Sequence, residues 1–98
     1  MQEERVSALT VCEREFIIEA GGKDRTEAFA QAFSALKARA YKEVDGLIVE
    51  MQPQDVFILS EEERTKTQQL ADYFKPREFK PYNIKVSIIV RLKYIPNK

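Results

Sequence analysis

The most regular pattern in the chain is an alternation of apolar and polar positions near its C-terminal end. It runs from Tyr82 to Ile95 and predicts a β-strand with one buried face. The apolar positions are Ile84, Val86, Ile88, Val90, Leu92 and Tyr94, and they alternate with Lys85, Ser87, Ile89, Arg91 and Lys93. Because no proline interrupts this strand, we expect it to pair on both sides, between two neighbours.

A three- and four-residue spacing of apolar positions predicts one long helix from Arg25 to about Val44. Asp24 and Glu27 have the spacing of an N-cap residue and its capping-box partner, and Gly46 is expected at the C′ position. The apolar stripe consists of Ala28, Phe29, Ala32, Phe33, Leu36 and Ala40.

A first strand is predicted from about Val6 to Ala20, but its alternation is broken. Leu9 and Val11 fall on one side of the pleat, whereas Cys12, Phe16 and Ile18 fall on the other. Two interpretations follow from this break. Either a β-bulge or bend lies near residues 13–15, or the strand begins only near Val11.

A further strand is predicted from Leu47 to Leu59, with Pro53 inside it. Proline cannot donate a ladder hydrogen bond, so this strand is expected at a sheet edge or with a bulge at Pro53. Ser60 and Glu63 then offer a second capping box, which predicts a short helix reaching to Phe74. A solvated, mobile connection is the competing interpretation of the same stretch.

Together these elements predict a single α+β domain over residues 1–98 with the order βαββ. A right-handed crossover through the helix makes the first two strands parallel, and the third strand fits between them, giving the sheet order 1-3-2. The last strand spans about 45 Å and the helix only about 30 Å. We therefore expect one helix to leave part of the strand uncovered and the chain to form a homo-oligomer.

The composition excludes several kinds of catalytic and metal site but does not identify a reaction. The 98 residues include 16 basic and 16 acidic side chains, no His and one Cys. These counts exclude Ser–His and Cys–His nucleophile pairs, the usual Cys/His zinc sites and a disulfide within the chain. We predict a protein that is not an enzyme and holds no cofactor or metal. The polar, acidic N-terminus and the single Cys predict a cytoplasmic location without membrane insertion.

Charge is balanced overall but not along the chain, since residues 1–72 carry a net charge of −6 and residues 73–98 a net charge of +6. Aromatic side chains among basic ones are typical of surfaces that bind anionic ligands. The candidate binding residues are Phe74, Lys75, Arg77, Phe79 and Lys80 in the two Phe-Lys-Pro repeats, and Lys85, Arg91 and Lys93 on the last strand. The alternatives are a rigid loop whose Phe rings cover the core, and a solvated strand face paired with Glu13, Glu15 or Glu50 on neighbouring strands.

Two resemblances extend over most of the chain. The strand–helix–strand–strand order, with Glu27-Ala28-Phe29-Ala30-Gln31-Ala32 at the start of the helix, resembles the dodecin-like architecture of flavin-storing dodecamers. Dodecins stack flavin on a tryptophan, which this chain lacks, so the resemblance does not imply flavin binding.

Four segments resemble a bacterial domain-of-unknown-function family of small conserved hypothetical proteins. They are residues 27–29, 43–48, 74–77 and 90–95. That resemblance implies an accessory role beside a transport or catabolic system, and it implies no catalytic residues.

Three functional hypotheses follow from these observations, and the least favoured is an enzyme that uses carboxylates and a metal. The first is an oligomeric, non-enzymatic module that binds a partner protein or a small anionic ligand. The second is a weak nucleic-acid or nucleotide binder that uses Lys85, Arg91 and Lys93, although the neutral total charge makes nucleic acid the less favoured ligand.

Overall fold

The computed structural model describes residues 5–64 and 80–97 of the chain. Its elements follow in the order β1 (Thr10–Gly22), α1 (Arg25–Glu43), β2 (Gly46–Glu63) and β3 (Tyr82–Pro96). The three strands form one sheet with the order β1-β3-β2, and α1 packs against it. Both outer strands run antiparallel to β3 and so parallel to each other. The predicted α+β fold and strand order are confirmed.

The core lies between α1 and one face of β3. Five of the six alternating apolar side chains of β3 are no more than 3% exposed: Ile84, Val86, Ile88, Val90 and Leu92. Tyr82 and Tyr94 pack against this cluster from the two ends of the strand. The expectation that one helix leaves the strand partly uncovered is therefore wrong, because α1 leads from the end of β1 to the start of β2 and the two tyrosines close the ends.

Helix α1 approaches the sheet closely because its buried face is built largely of small side chains. Ala28, Ala32, Leu36 and Ala40 are all buried. The predicted N-terminus is confirmed, since Asp24 Oδ1 accepts a hydrogen bond of 2.8 Å from Glu27 N. Glu27 Oε1 in turn accepts one of 2.7 Å from Lys23 N, so two of the amides around the helix start have carboxylate partners.

The C-terminal end of α1 differs from the prediction. The helix ends at Glu43, and Val44 caps it in an extended conformation. Gly46 does not serve as the C′ residue but is the first residue of β2. Gly46 pairs with Pro96 of β3, and the two backbones lie close together at this point.

Strand β1 begins at Thr10 and pairs with β3 without a register shift as far as Gly22. The interpretation that the strand starts near Val11 is confirmed, and the predicted bulge near residues 13–15 is wrong. Leu9 precedes the strand, so it does not take part in the alternation. Val11 lies on the opposite face from Cys12, as the pleat requires.

Strand β2 is longer and more irregular than predicted. It runs through Pro53 and uses 18 residues to pair with the 15 of β3, with register shifts between Ile48 and Glu50, between Pro53 and Asp55, and between Ile58 and Ser60. The expectation of an edge strand with a bulge at proline is confirmed. The helix predicted to start at Ser60 is wrong for residues 60–63, because they pair with the first residues of β3. The rest of that predicted helix, residues 65–74, lies outside the described residues.

We predict that Gly46→Ala destabilises the fold. Gly46 has φ +158°, and a Cβ at this position would clash with the carbonyl oxygen of Ile95. The strained backbone and this contact are expected to lower the free energy of unfolding by about 1–3 kcal/mol in urea titrations. Ser34→Ala, at an exposed helix position, is the matched control and should leave stability nearly unchanged. A Gly46→Ala protein as stable as the wild type would contradict this assignment.

Candidate functional site

The sheet has one face packed on α1 and one face that no described element covers. Residues paired across the strands share a face, so the uncovered face can be derived from the register. We call it the open face. It carries Val11, Glu13, Glu15, Ile17, Glu19 and Gly21 of β1, Asn83, Lys85, Ser87, Ile89, Arg91, Lys93 and Ile95 of β3, and Leu47, Glu50, Gln52, Asp55, Phe57, Ser60 and Glu62 of β2.

On the open face, β1 carries acidic side chains and β3 carries basic side chains. Three glutamates of β1 form an acidic column, namely Glu13, Glu15 and Glu19, and three cations of β3 form a basic column beside it, namely Lys85, Arg91 and Lys93. The sequence correctly predicted that these three cations share one face. The alternative interpretation, in which this strand face pairs with glutamates on neighbouring strands, also agrees with the structure, since Glu13 lies opposite Arg91 and Glu50 lies beside Lys93.

Pairing within the chain leaves part of the basic column free. Lys93 Nζ lies 3.2 Å from Glu50 Oε1 of β2. Arg91 and Lys85 lie opposite Glu13 and Glu19 in the register. No described residue forms an ion pair within 4.0 Å of either cation. The basic column therefore keeps two cations whose charge is available to a partner.

Apolar side chains lie at mid-height on the same face. Ile17 and Phe57 flank Ser87 on either side, and they are 48% and 51% exposed. Ser87 itself is 3% exposed, and its hydroxyl donates to Glu15 Oε2. Val11, at one end of the acidic column, is 52% exposed. Exposed apolar side chains therefore lie at two heights on the face. Ile17 and Phe57 lie between the Glu13–Arg91 and Glu19–Lys85 rows, and Val11, Leu47 and Ile95 lie at one end.

Each of the two edge strands, β1 and β2, has a feature that hinders hydrogen bonding to a further strand. Along β2, Pro53 and the three register shifts distort the ladder. Along β1, Arg39 of α1 donates from Nη1 to the carbonyl oxygen of Ile17 at 3.0 Å. The same guanidinium bonds Glu43 at 3.0 Å and lies 5.6 Å from the centre of the Phe16 ring. A helix side chain thus occupies the middle of the β1 edge.

A small pocket of about 370 Å³ lies where β1 leads into α1. It is lined by Gly21, Gly22, Lys23, Glu27, Gln31 and Lys80. Gly22 has room for no side chain, since a Cβ there would lie 2.8 Å from the backbone nitrogen of Ala28. The pocket therefore presents main chain and two lysines, with the carboxylate of Glu27 already bonded to the backbone.

Close to this pocket, Glu61 of β2 joins Arg25 and Tyr82. Arg25 Nε lies 2.6 Å from Glu61 Oε2, and the Tyr82 hydroxyl donates to the same oxygen. The hydrogen bonds from Tyr82 and Arg25 lower the pKa of Glu61. The same bonds raise the pKa of Tyr82 and of Arg25. This cluster fixes the far end of β2 to the start of α1 and of β3.

The remaining predicted site residues fall in two groups. Phe74, Lys75, Arg77 and Phe79 lie outside the described residues, whereas Lys80 borders the pocket. Within residues 5–64 and 80–97, no three Cys, Asp or Glu side chains are grouped closely enough to hold a metal ion.

The exposed Ile17 and Phe57 were not among the predicted site residues. The consecutive Phe16-Ile17-Ile18 was the signal for Ile17, because three apolar residues in a row place apolar side chains on both faces of a strand.

The chain was compared with known families and proteins. The family model of the domain of unknown function DUF4312 matches residues 12–95. No curated protein and no solved structure matches the chain, so the dodecin-like resemblance stays a prediction. In the part of the chain that the structure describes, no helix has the length and apolarity needed to cross a membrane.

We predict that the contribution of Glu61 to stability depends on pH. The pKa of Glu61 is lowered from 4.5 in the folded protein, so its contribution is present above pH 4.5 and is lost as pH falls through the lowered value. The stability difference between the wild type and Glu61→Gln should therefore shrink on acidification in urea titrations. Glu63→Gln, two residues further along β2, is the control. A Glu61→Gln difference that stays constant from neutral to acidic pH would contradict the assignment.

Proposed function

The chain belongs to the DUF4312 family of domains of unknown function, and we propose that it is a non-enzymatic binding module that associates with itself. The observation that carries this proposal is the open face, which holds half-exposed Ile17 and Phe57 at its centre. An accessory role beside a transport or catabolic system, which the family resemblance implies, is part of the same proposal.

The physical basis is the cost of leaving apolar sheet surface in water. Sheets in small domains bury one face on a helix layer, and an exposed second face is normally polar. Here Ile17 and Phe57 expose apolar surface on the second face, and burying their exposed halves would contribute about 1 kcal/mol each. A partner that covers this face therefore gains hydrophobic burial as well as contacts to the charged rows.

A binding role also agrees with the chemistry of the chain. It has no His, and its single Cys, Cys12, packs against the core. Glu61 and Tyr82 bond each other and Arg25, which is an arrangement that joins three elements. These observations support a surface that makes contacts over a surface that performs a reaction.

The pocket at the start of α1 favours a second candidate function, the binding of a small anion. Lys23 and Lys80 both line it, and the buried Gly21 and Gly22 form its inner wall. The basic column supports nucleic-acid binding less well, because the glutamates of β1 lie alongside it and would repel a phosphate backbone.

We predict that the wild type is an oligomer at micromolar concentration and that Ile17→Lys reduces its mass. The added charge would have to be buried in any contact that covers the middle of the open face, which is costly without a partner. Light scattering coupled to size exclusion gives the mass, and circular dichroism checks that the variant is folded. Tyr41→Lys is the matched control, because Tyr41 is a similarly exposed apolar residue on α1. A monomeric wild type would contradict the proposal, and so would an Ile17→Lys protein with unchanged mass.

We predict for the second candidate that inorganic phosphate raises the melting temperature relative to chloride at equal ionic strength. A ligand that binds only the folded state stabilises it by mass action. Lys80→Gln should reduce the rise, whereas Lys37→Gln, on the exposed surface of α1, should not. Equal melting temperatures in phosphate and chloride would exclude this candidate.

A further inference from the structure

We infer that the open face is self-complementary: the acidic column of each chain lies against the basic column of a second copy. This inference rests on the proposed self-association and names its surface and orientation. A second copy is the occupant that the charge pattern specifies, because each chain carries both columns side by side.

The edges of the sheet do not offer an alternative route to a second copy. Pairing along β2 would meet Pro53 and three register shifts. Pairing of β1 with β1 of another copy must displace Arg39 from the carbonyl of Ile17. Antiparallel pairing centred on Phe16 would in addition set Glu13 opposite Glu19 of the second chain, and like charges at such positions are destabilising. The open face is the remaining sheet surface.

The rows of the two columns match in height. Glu13 lies level with Arg91, and Glu19 lies level with Lys85, at opposite ends of the columns. Between them, Ile17 lies level with Ser87. Glu15 lies level with Ile89, between the Glu13 row and the Ile17 row. In both charged rows the acidic residue is on β1 and the basic residue is on β3.

Charge selects one of the two ways in which identical faces can stack. If the two-fold axis is perpendicular to the strands, the acidic column of one chain lies over the acidic column of the other. The basic columns then also face each other, so like charges meet in both places. A two-fold axis along the strands, between β1 and β3, lays β1 of each chain over β3 of the other at the same height. That arrangement places Glu13 over Arg91 and Glu19 over Lys85, twice each by symmetry.

The middle of the face fits the same arrangement sterically. With the axis along the strands, Ile17 of one chain lies over Ser87 of the other. Ser87 is the smallest side chain of β3 on this face, and it lies lower than its exposed neighbours. A half-exposed isoleucine over a small side chain lets two sheets approach to about 10 Å. In this arrangement Ile17 is buried in the contact, whereas β2 with Phe57 lies at its outer edge.

The test uses two variants in which the four paired positions, 13, 19, 85 and 91, all carry one sign of charge. The basic variant combines Glu13→Lys with Glu19→Lys, and the acidic variant combines Lys85→Glu with Arg91→Glu. Each alone should be monomeric by light scattering, because its two columns repel those of its own copies. Mixed in equal amounts, the two should form a heterodimer with the mass of the wild-type dimer, and added salt should weaken it. Lys37→Glu with Lys42→Glu on α1 makes the same charge change on another surface and should keep the wild-type mass.

The outcomes separate this inference from the proposed function. A monomeric wild type would overturn both. A wild-type oligomer whose two charge variants each keep its mass would overturn the orientation and leave self-association standing. Two variants that remain monomers when mixed, while the wild type is an oligomer, would also overturn the pairing of the columns. Recovery of the dimer only in the mixture supports it, since no other surface gains complementarity from both changes at once.

Discussion

Pairing of β3 on both of its edges, with its apolar side chains buried under α1, is the constraint on which the rest of the structure depends. The strand supplies five side chains that are no more than 3% exposed, and every other described element contacts it. Because α1 takes one face, the lysines and arginine of the alternate positions must all emerge on the other. The same alternation that builds the core therefore produces the basic column of the open face.

The edges show how the chain restricts its own association. Strand β2 is interrupted by Pro53 and by three extra residues at regular five-residue intervals, Val49, Gln54 and Leu59. Strand β1 has no such irregularity, and there Arg39 reaches from α1 to the backbone. Proteins commonly protect long edge strands in these ways, because an unpaired ladder recruits other strands. With both edges restricted, the exposed apolar surface at Ile17 and Phe57 directs contacts to the open face.

Much of the fold could be predicted from the sequence because it depends on local and periodic signals. The alternation in β3, the absence of proline there and the presence of Pro53 in β2 together gave the strand order, and Asp24 with Glu27 gave the helix start. The end of β2 could not be predicted in the same way. Ser60 to Glu63 has the composition of a helix N-terminus, but pairing with the first residues of β3 decides its conformation.

The candidate site was predicted only in part, for a related reason. Lys85, Arg91 and Lys93 share a face by alternation alone. The glutamates beside them come from a strand some seventy residues away in sequence, and their alignment depends on a register that no local pattern contains. Ile17 lies within the apolar run Phe16-Ile17-Ile18, and the sequence alone did not separate this exposed residue from its two buried neighbours. A residue's partner across a sheet is a tertiary property.

The most direct measurement of the central claim is an isotope-filtered NOE experiment on a mixture of labelled and unlabelled chains, which detects contacts between copies only. If the two open faces pair along the strand direction, the Ile17 methyl groups of one chain should show cross-peaks to the β protons of Ser87 in the other. Contacts between copies that involve only the exposed side of α1, or Ile17 of one chain with Ile17 of the other, would contradict the claim.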